Sequence, residues 1–124
     1  MVLAFLGTAM LVFSINQQHA DAMDVMGARA YQAARAGVDW GAYQVLRNPA
    51  GINCPLGGAA NNVAMPAAPS TLSGFTVDVS CWSYAAVSEA ANTVTLYRLS
   101  STATQGSVGT QGYVERQMTV TIAQ

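Results

Sequence analysis

MVLAFLGTAMLVFSINQQHADAMDVMGARAYQAARAGVDWGAYQVLR, residues Met1 to Arg47, is the stretch whose reading decides the fold. It holds no proline, and its apolar positions keep a period near 3.6, so it predicts one uninterrupted helix. Met1 to Ile15 is uncharged, and only Gly7, Thr8 and Ser14 interrupt its apolar side chains. Residues 16–47 are amphipathic. Met23, Met26, Gly27, Ala30, Ala34, Gly37, Val38, Gly41 and Val45 share one stripe, and Asp21, Ala28, Gln32, Arg35 and Asp39 share the opposite one. A helix that begins greasy and turns amphipathic belongs partly to one solvent and partly to another. It anchors a domain to a membrane, stacks into the core of a polymer, or does each in turn. Crossing a bilayer takes about 20 apolar residues. The run up to Ile15 is shorter, so it lies along an interface or continues a longer apolar segment.

The stripe of the second half is made of very small residues: Gly27, Ala30, Ala34, Gly37 and Gly41. Glycine inside a helix costs about 1 kcal/mol relative to alanine, so several on one face imply close packing that offsets the cost. Gly37 and Gly41 have the small-x-x-x-small spacing that admits another backbone. Two readings stay open, a second helix against this stripe or a sheet of the same chain that needs room to sit. Tyr31, Trp40 and Tyr43 lie off the stripe, and core packing against a sheet is their plainest role. Asn48-Pro49 predicts the helix stop, because a residue before proline avoids the helical region.

Ala50 to Ser73 reads as a loop, punctuated by Gly51, Pro55, Gly57, Gly58, Pro66 and Pro69. Beyond it, Phe75, Val77, Val79 and Cys81 alternate with polar residues and Trp82, the period of a half-buried strand. Asn92–Leu99 predicts a second strand. Tyr113–Ile122 predicts a third, with Val114, Met118, Val120 and Ile122 on one face. Ala85–Ala91 and the small polar stretch Ser101–Gly112 read as connections. Two successive hairpins make an antiparallel meander, and the helix is the element available to cover one face of it. The expected class is α+β, with a helix over 1–47 (apolar over 1–15, amphipathic over 16–47) and a sheet domain over 48–124.

Hydrophobic residues make up 52% of the chain and charged residues 9%, far below the roughly 25% of soluble domains. Five cations, all arginine, face six acids. No basic patch for nucleic acid is present, and the low net charge suits a subunit that packs against its own kind. Cys54 and Cys81 permit one intramolecular bridge. The apolar N-terminus points to export, where a disulfide is favoured over two free thiols. The single histidine, His19, sits just past the greasy run, and with two distant cysteines it makes no metal-ligand set. No carboxylate pair, nucleophile elbow or glycine-rich phosphate loop stands out. The reading is a non-enzyme with no cofactor and no small-molecule substrate.

A greasy-then-amphipathic helix, a cysteine-closed loop and an antiparallel sheet make a layout that resembles the type IV pilins and their minor, pseudopilin-like relatives. The segments DVMGARAYQAARAGVDWGAYQVLRNP (Asp24 to Pro49) and YRLSSTATQGSVGTQGYVERQMTVTIA (Tyr97 to Ala123) are similar to the MshP family, minor pilin-like biogenesis proteins of the mannose-sensitive haemagglutinin (MSHA) pilus. The run A-R-A-Y-x-A-A-x-A-G-x-x-W is the most specific element. The resemblance implies a prepilin made in the inner membrane of a Gram-negative bacterium, with its sheet domain in the periplasm. It implies cleavage after a glycine in a basic leader, then passage of the apolar helix from bilayer to filament core. No basic leader, Gly-Phe motif or early glutamate occurs before the apolar run, and Gly7, followed by Thr8, does not fit the cleavage glycine. The expectation is therefore a helix lacking a leader and its first two or three turns, and no processing residue is carried over.

The expected function is a minor pilin or pseudopilin subunit of a type IV pilus, whose partners are other pilins and assembly components. The alternative is a secreted periplasmic binding or adhesion domain. In that case residues 1–22 are a signal peptide cut at Ala20-Asp21-Ala22, an A-x-A pattern. Unbroken helical spacing through that site speaks for the first reading.

Overall fold

One helix, α1 (Val2–Arg47), runs 46 residues without a break, a length of about 69 Å at 1.5 Å per residue. It belongs to a computed structural model that describes residues 2–47, 52–57, 61–66 and 68–124. The predicted helix stop at Asn48-Pro49, and Gly51 and Gly58 of the predicted loop, lie outside the described residues. Six strands follow: β1 (Asn61–Ala64), β2 (Thr76–Ser83), β3 (Val87–Glu89), β4 (Asn92–Val94), β5 (Leu96–Gln105) and β6 (Val114–Ala123). β1, β2, β5 and β6 form one antiparallel sheet in that order, and β3 and β4 form a separate hairpin. The architecture is α+β and pilin-like, a long helix laid on a small antiparallel sheet.

The register places Val79 opposite Ser101 and Ser101 opposite Met118, so these residues share one face. That face meets α1. Val77, Val79, Cys81, Leu99 and Ala103 are buried there with Ala30, Ala33, Ala34 and Val45 of the helix. The opposite face carries Thr76, Asp78, Ser80, Thr102, Thr104, Gln117 and Thr119. Across it Gln117 Nε2 donates to Ser100 Oγ at 2.9 Å, and Ser80 Oγ donates to the Ser100 carbonyl at 3.2 Å. Period-2 alternation thus sorts apolar from hydroxyl-bearing residues across the sheet, as one covered face requires.

Four expectations about the strands need correction. Ser101–Gly112 is not all connection, because β5 runs on to Gln105. Its small polar composition suggested a loop, but Ser101 and Ala103 are fully buried beneath the helix, where only small side chains fit. The turn proper begins at Gly106, whose φ of 83° and a Cβ position 2.8 Å from the Gly112 carbonyl oxygen require glycine. Asn61–Ala64, placed in the loop, pairs with β2 through Val63 opposite Val79. Val87–Glu89, placed in a connection, pairs with β4. Asn92–Leu99 is split at Thr95 between the small hairpin and the main sheet.

Candidate functional site

The stripe of small residues is the seam between α1 and the sheet. A Cβ added at Gly37 would overlap Ser101 Oγ and lie 2.6 Å from Val77 Cγ1. One at Gly41 would lie 3.0 Å from Val79 Cγ1 and 3.3 Å from Leu99 Cδ2. At Gly27 the neighbour is the guanidinium of Arg116, 3.3 Å away. Ala30 and Ala34 are fully buried along the same line. Of the two readings left open for Gly37-x-x-x-Gly41, the structure gives the chain's own sheet: Ser101 and Leu99 occupy the space another helix would need. Ala33, absent from the expected stripe, is buried beside it. It widens the apolar face toward the a/d/e pattern of a globular helix.

The first half of the same helix touches almost nothing. Every side chain described between Ala4 and Val25 is exposed, including Leu6, Met10, Leu11, Val12, Phe13 and Ile15. Phe13 is 72% exposed, a cost in water unless something covers it. No described helix is long and apolar enough to cross a membrane. Val2 to Ile15 spans about 21 Å against a hydrocarbon core of roughly 30 Å, and Asn16-Gln17-Gln18-His19 ends it with polar groups. The expectation of a transmembrane helix is corrected to that extent. Met23, assigned to the packed stripe, is 41% exposed, because the sheet begins one turn further along. Tyr31 and Tyr43 are exposed as well, whereas Trp40 packs against the core as expected.

Cys54 and Cys81 form a disulfide with a Cα–Cα distance of 4.9 Å. Cys81 is fully buried on the helix-facing side of β2, so the bridge ties the segment after α1 to the centre of the sheet. The tie is reinforced locally. Ser83 N donates to the Pro55 carbonyl at 3.0 Å, Gly57 N to the Ser83 carbonyl at 3.2 Å, and Ser83 Oγ to the Cys54 carbonyl at 3.2 Å. Ile52 is fully buried in the core next to this tie, a contact with no periodic signal in a loop sequence.

Near the C-terminal end of β2, Arg98 of β5 lies over the Trp82 ring, 5.4 Å from its centroid, and the Trp82 indole N–H donates to the Tyr84 hydroxyl at 3.4 Å. The indole hydrogen bond, then the Arg98 guanidinium, lower the Tyr84 hydroxyl below the ordinary tyrosine value. Tyr113 behaves oppositely. Its hydroxyl donates to the Glu115 carboxylate, which raises its pKa. Among the described residues no group of histidine, cysteine and acidic side chains is placed to hold a metal ion. His19 is exposed on α1 near Gln111 of the β5–β6 turn. No family model, curated protein or solved structure matches the chain.

Proposed function

We propose that the chain is a structural subunit of a helix-mediated assembly, a minor pilin or pseudopilin rather than an enzyme. The observation that carries the reading is the contrast along α1: a packed second half, and a first half whose bulky apolar side chains stand in the open. Burial of such side chains is worth about 1.5–3 kcal/mol each, a driving force available only to a partner helix or a lipid phase. Within that class the segments Asp24 to Pro49 and Tyr97 to Ala123 favour a biogenesis component of an MSHA-type pilus, similar to MshP. In this proposal the greasy end rests in the apolar layer of the inner membrane before assembly. The disulfide-closed domain faces the periplasm, and other pilins then replace lipid around α1.

The test is deletion of the gene in its host, with surface pili counted by electron microscopy and attachment measured. Loss or strong reduction of pili, restored by the intact gene but not by one carrying Leu11→Ser and Phe13→Ser, is the expected result. Normal piliation and attachment in the deletion would sink the proposal.

A further inference from the structure

The turn between β5 and β6 hangs beside the point where the greasy run of α1 ends. Ser101 of β5 lies under Gly37, and further along the chain Gln111 borders a cleft of about 330 Å³ with Asn16, His19, Ala20 and Met23. The hairpin therefore reaches past the packed part of the helix toward its N-terminus. Its turn is tightly made. The Ser107 carbonyl accepts from Thr110 N at 3.1 Å and from Thr110 Oγ1 at 2.7 Å, and the Thr110 carbonyl accepts from Tyr113 N at 3.2 Å. Gly109, at φ 88°, supplies the left-handed residue that the third position of a type II turn requires. Val108 precedes it at the tip and is 83% exposed, more than any other large apolar residue described. No charged side chain occurs between Arg98 and Glu115, and none occurs before Asp21.

We propose that the tip of this turn, with Val108 foremost, is a second lipid contact, seated in the headgroup layer of the bilayer that holds the greasy run. The heights agree. Ile15 ends the greasy run, and His19, level with the turn, stands about 6 Å above it at 1.5 Å per residue. The layer between hydrocarbon and water is about 5–7 Å deep on each side of a bilayer. With α1 upright and Ile15 at the edge of the hydrocarbon, the turn meets the headgroups.

The chemistry agrees as well. An apolar side chain at the tip is stabilised by leaving water. Hydrogen bonds within the turn already satisfy the Ser107 and Thr110 carbonyls, which lowers the cost of partly drying that backbone. Val108 stands among Gly106, Ser107, Gly109 and Thr110, too small an apolar patch for a protein interface. A lipid surface demands no such area and no matching shape. A helix held by its greasy end alone is free to tilt and to rotate, and a second contact sets which side of α1 leans toward the membrane. The inference rests on the membrane anchoring in the reading above and adds this contact to it.

The experiment uses the full chain, disulfide intact, in phosphatidylcholine vesicles whose acyl chains carry bromine either near the headgroup or near the methyl end. Val108→Trp and Leu6→Trp are each read against the parent chain. The native tryptophans serve as a silent background. Trp40 lies 25 residues past Ile15, about 37 Å along the helix, and Trp82 pairs with Arg98 at the end of the sheet away from the turn. The emission added by Val108→Trp is expected to shift to the blue and to be mostly lost to shallow bromine. The emission added by Leu6→Trp, about 14 Å below Ile15, is expected to be mostly lost to deep bromine. Val108→Ser should weaken partition into the vesicles roughly threefold. If Leu6→Trp is quenched while Val108→Trp emits as it does in water, the turn contact is overturned and the anchor stands. If Leu6→Trp is quenched at neither depth, the membrane reading itself is overturned, and the second contact with it.

Discussion

The two halves of α1 obey opposite rules within one unbroken helix. From Met26 to Val45 the buried positions are held by alanine, glycine and valine, and the sheet comes close enough to leave no room for a Cβ at Gly37. Before Met26 every described side chain is exposed, the run up to Ile15 is mostly large and apolar, and Gly7 has nothing within 4 Å of its Cβ position. A small-residue stripe and a greasy run are both commonly read as sites for a partner helix. Here the stripe is used up inside the chain, and the greasy run is left exposed.

The strongest way to break this comparison is to put the same side chain in both halves. Gly37→Leu is expected to cost about 4 kcal/mol or more, because the added atoms meet Ser101 and Val77 near the middle of the sheet. Gly7→Leu is expected to leave the stability of the sheet domain unchanged. Denaturant unfolding of the full chain in mild detergent, followed by tryptophan fluorescence, checks the pair. Equal losses would show that the seam is not where the structure puts it.

The next effect is that of the staple. Replacing both Cys54 and Cys81 by alanine opens a loop of sequence separation 27 and should cost about 3–4 kcal/mol in the chain-entropy account. The loss should fall on the sheet domain. Amide exchange of residues 2–25 should not change, because among the described residues no contact joins that half of α1 to the bridge. Faster exchange throughout the helix would mean that the two halves are one cooperative unit.

The helix and the faces of β2 and β6 were legible because their periods, 3.6 and 2, are carried by apolar residues, whereas β5 was legible only over its first few residues. What was not legible lay where small or polar residues do buried work. Ser101 and Ala103 look like loop residues, and only the glycine stripe of a helix far away in sequence makes them core. Asn61–Ala64 is a strand because β2 offers it an edge, a tertiary reason that four residues cannot announce. Tyr31 and Tyr43 read as core by residue type, yet they are exposed, because they project from α1 away from the stripe that buries Ala30, Ala33, Gly41 and Val45. The disulfide partners were fixed by number alone, since two cysteines allow one pairing.

A smaller effect tests the seam from the sheet side. Ser101 Oγ is buried under Gly37 with no hydrogen-bond partner. A buried hydroxyl left unpaired costs about 1–3 kcal/mol, and alanine removes it while keeping the space that the glycine demands. Ser101→Ala is therefore expected to raise stability by roughly 1 kcal/mol. Ser101→Val should lower it, for the same steric reason as Gly37→Leu. If alanine destabilises instead, the hydroxyl has a partner that the helix–sheet seam supplies in solution.

The smallest effect concerns tyrosine titration, and it separates the sheet domain from the greasy half by chemistry rather than stability. The Trp82 indole N–H and the Arg98 guanidinium favour the Tyr84 phenolate, so this hydroxyl ionises below the ordinary value of 10.0. Glu115 disfavours the Tyr113 phenolate, which ionises above it. The signs follow from proton linkage. The folded state holds fewer protons at Tyr84, so that group's contribution is present above the unfolded pKa and is lost as pH falls through the folded one. Tyr113 contributes the reverse, present below its unfolded pKa and lost as pH rises through the folded one. Both hydrogen bonds lie at the surface, so the opposed contributions leave little net change in stability with pH. An absorbance titration should still show one of the five tyrosines ionising early. Arg98→Ala should move that phase upward, and Phe13→Ser should leave it in place. A phase that ignores Arg98 but responds to Phe13 would mean that the greasy half reaches the sheet after all.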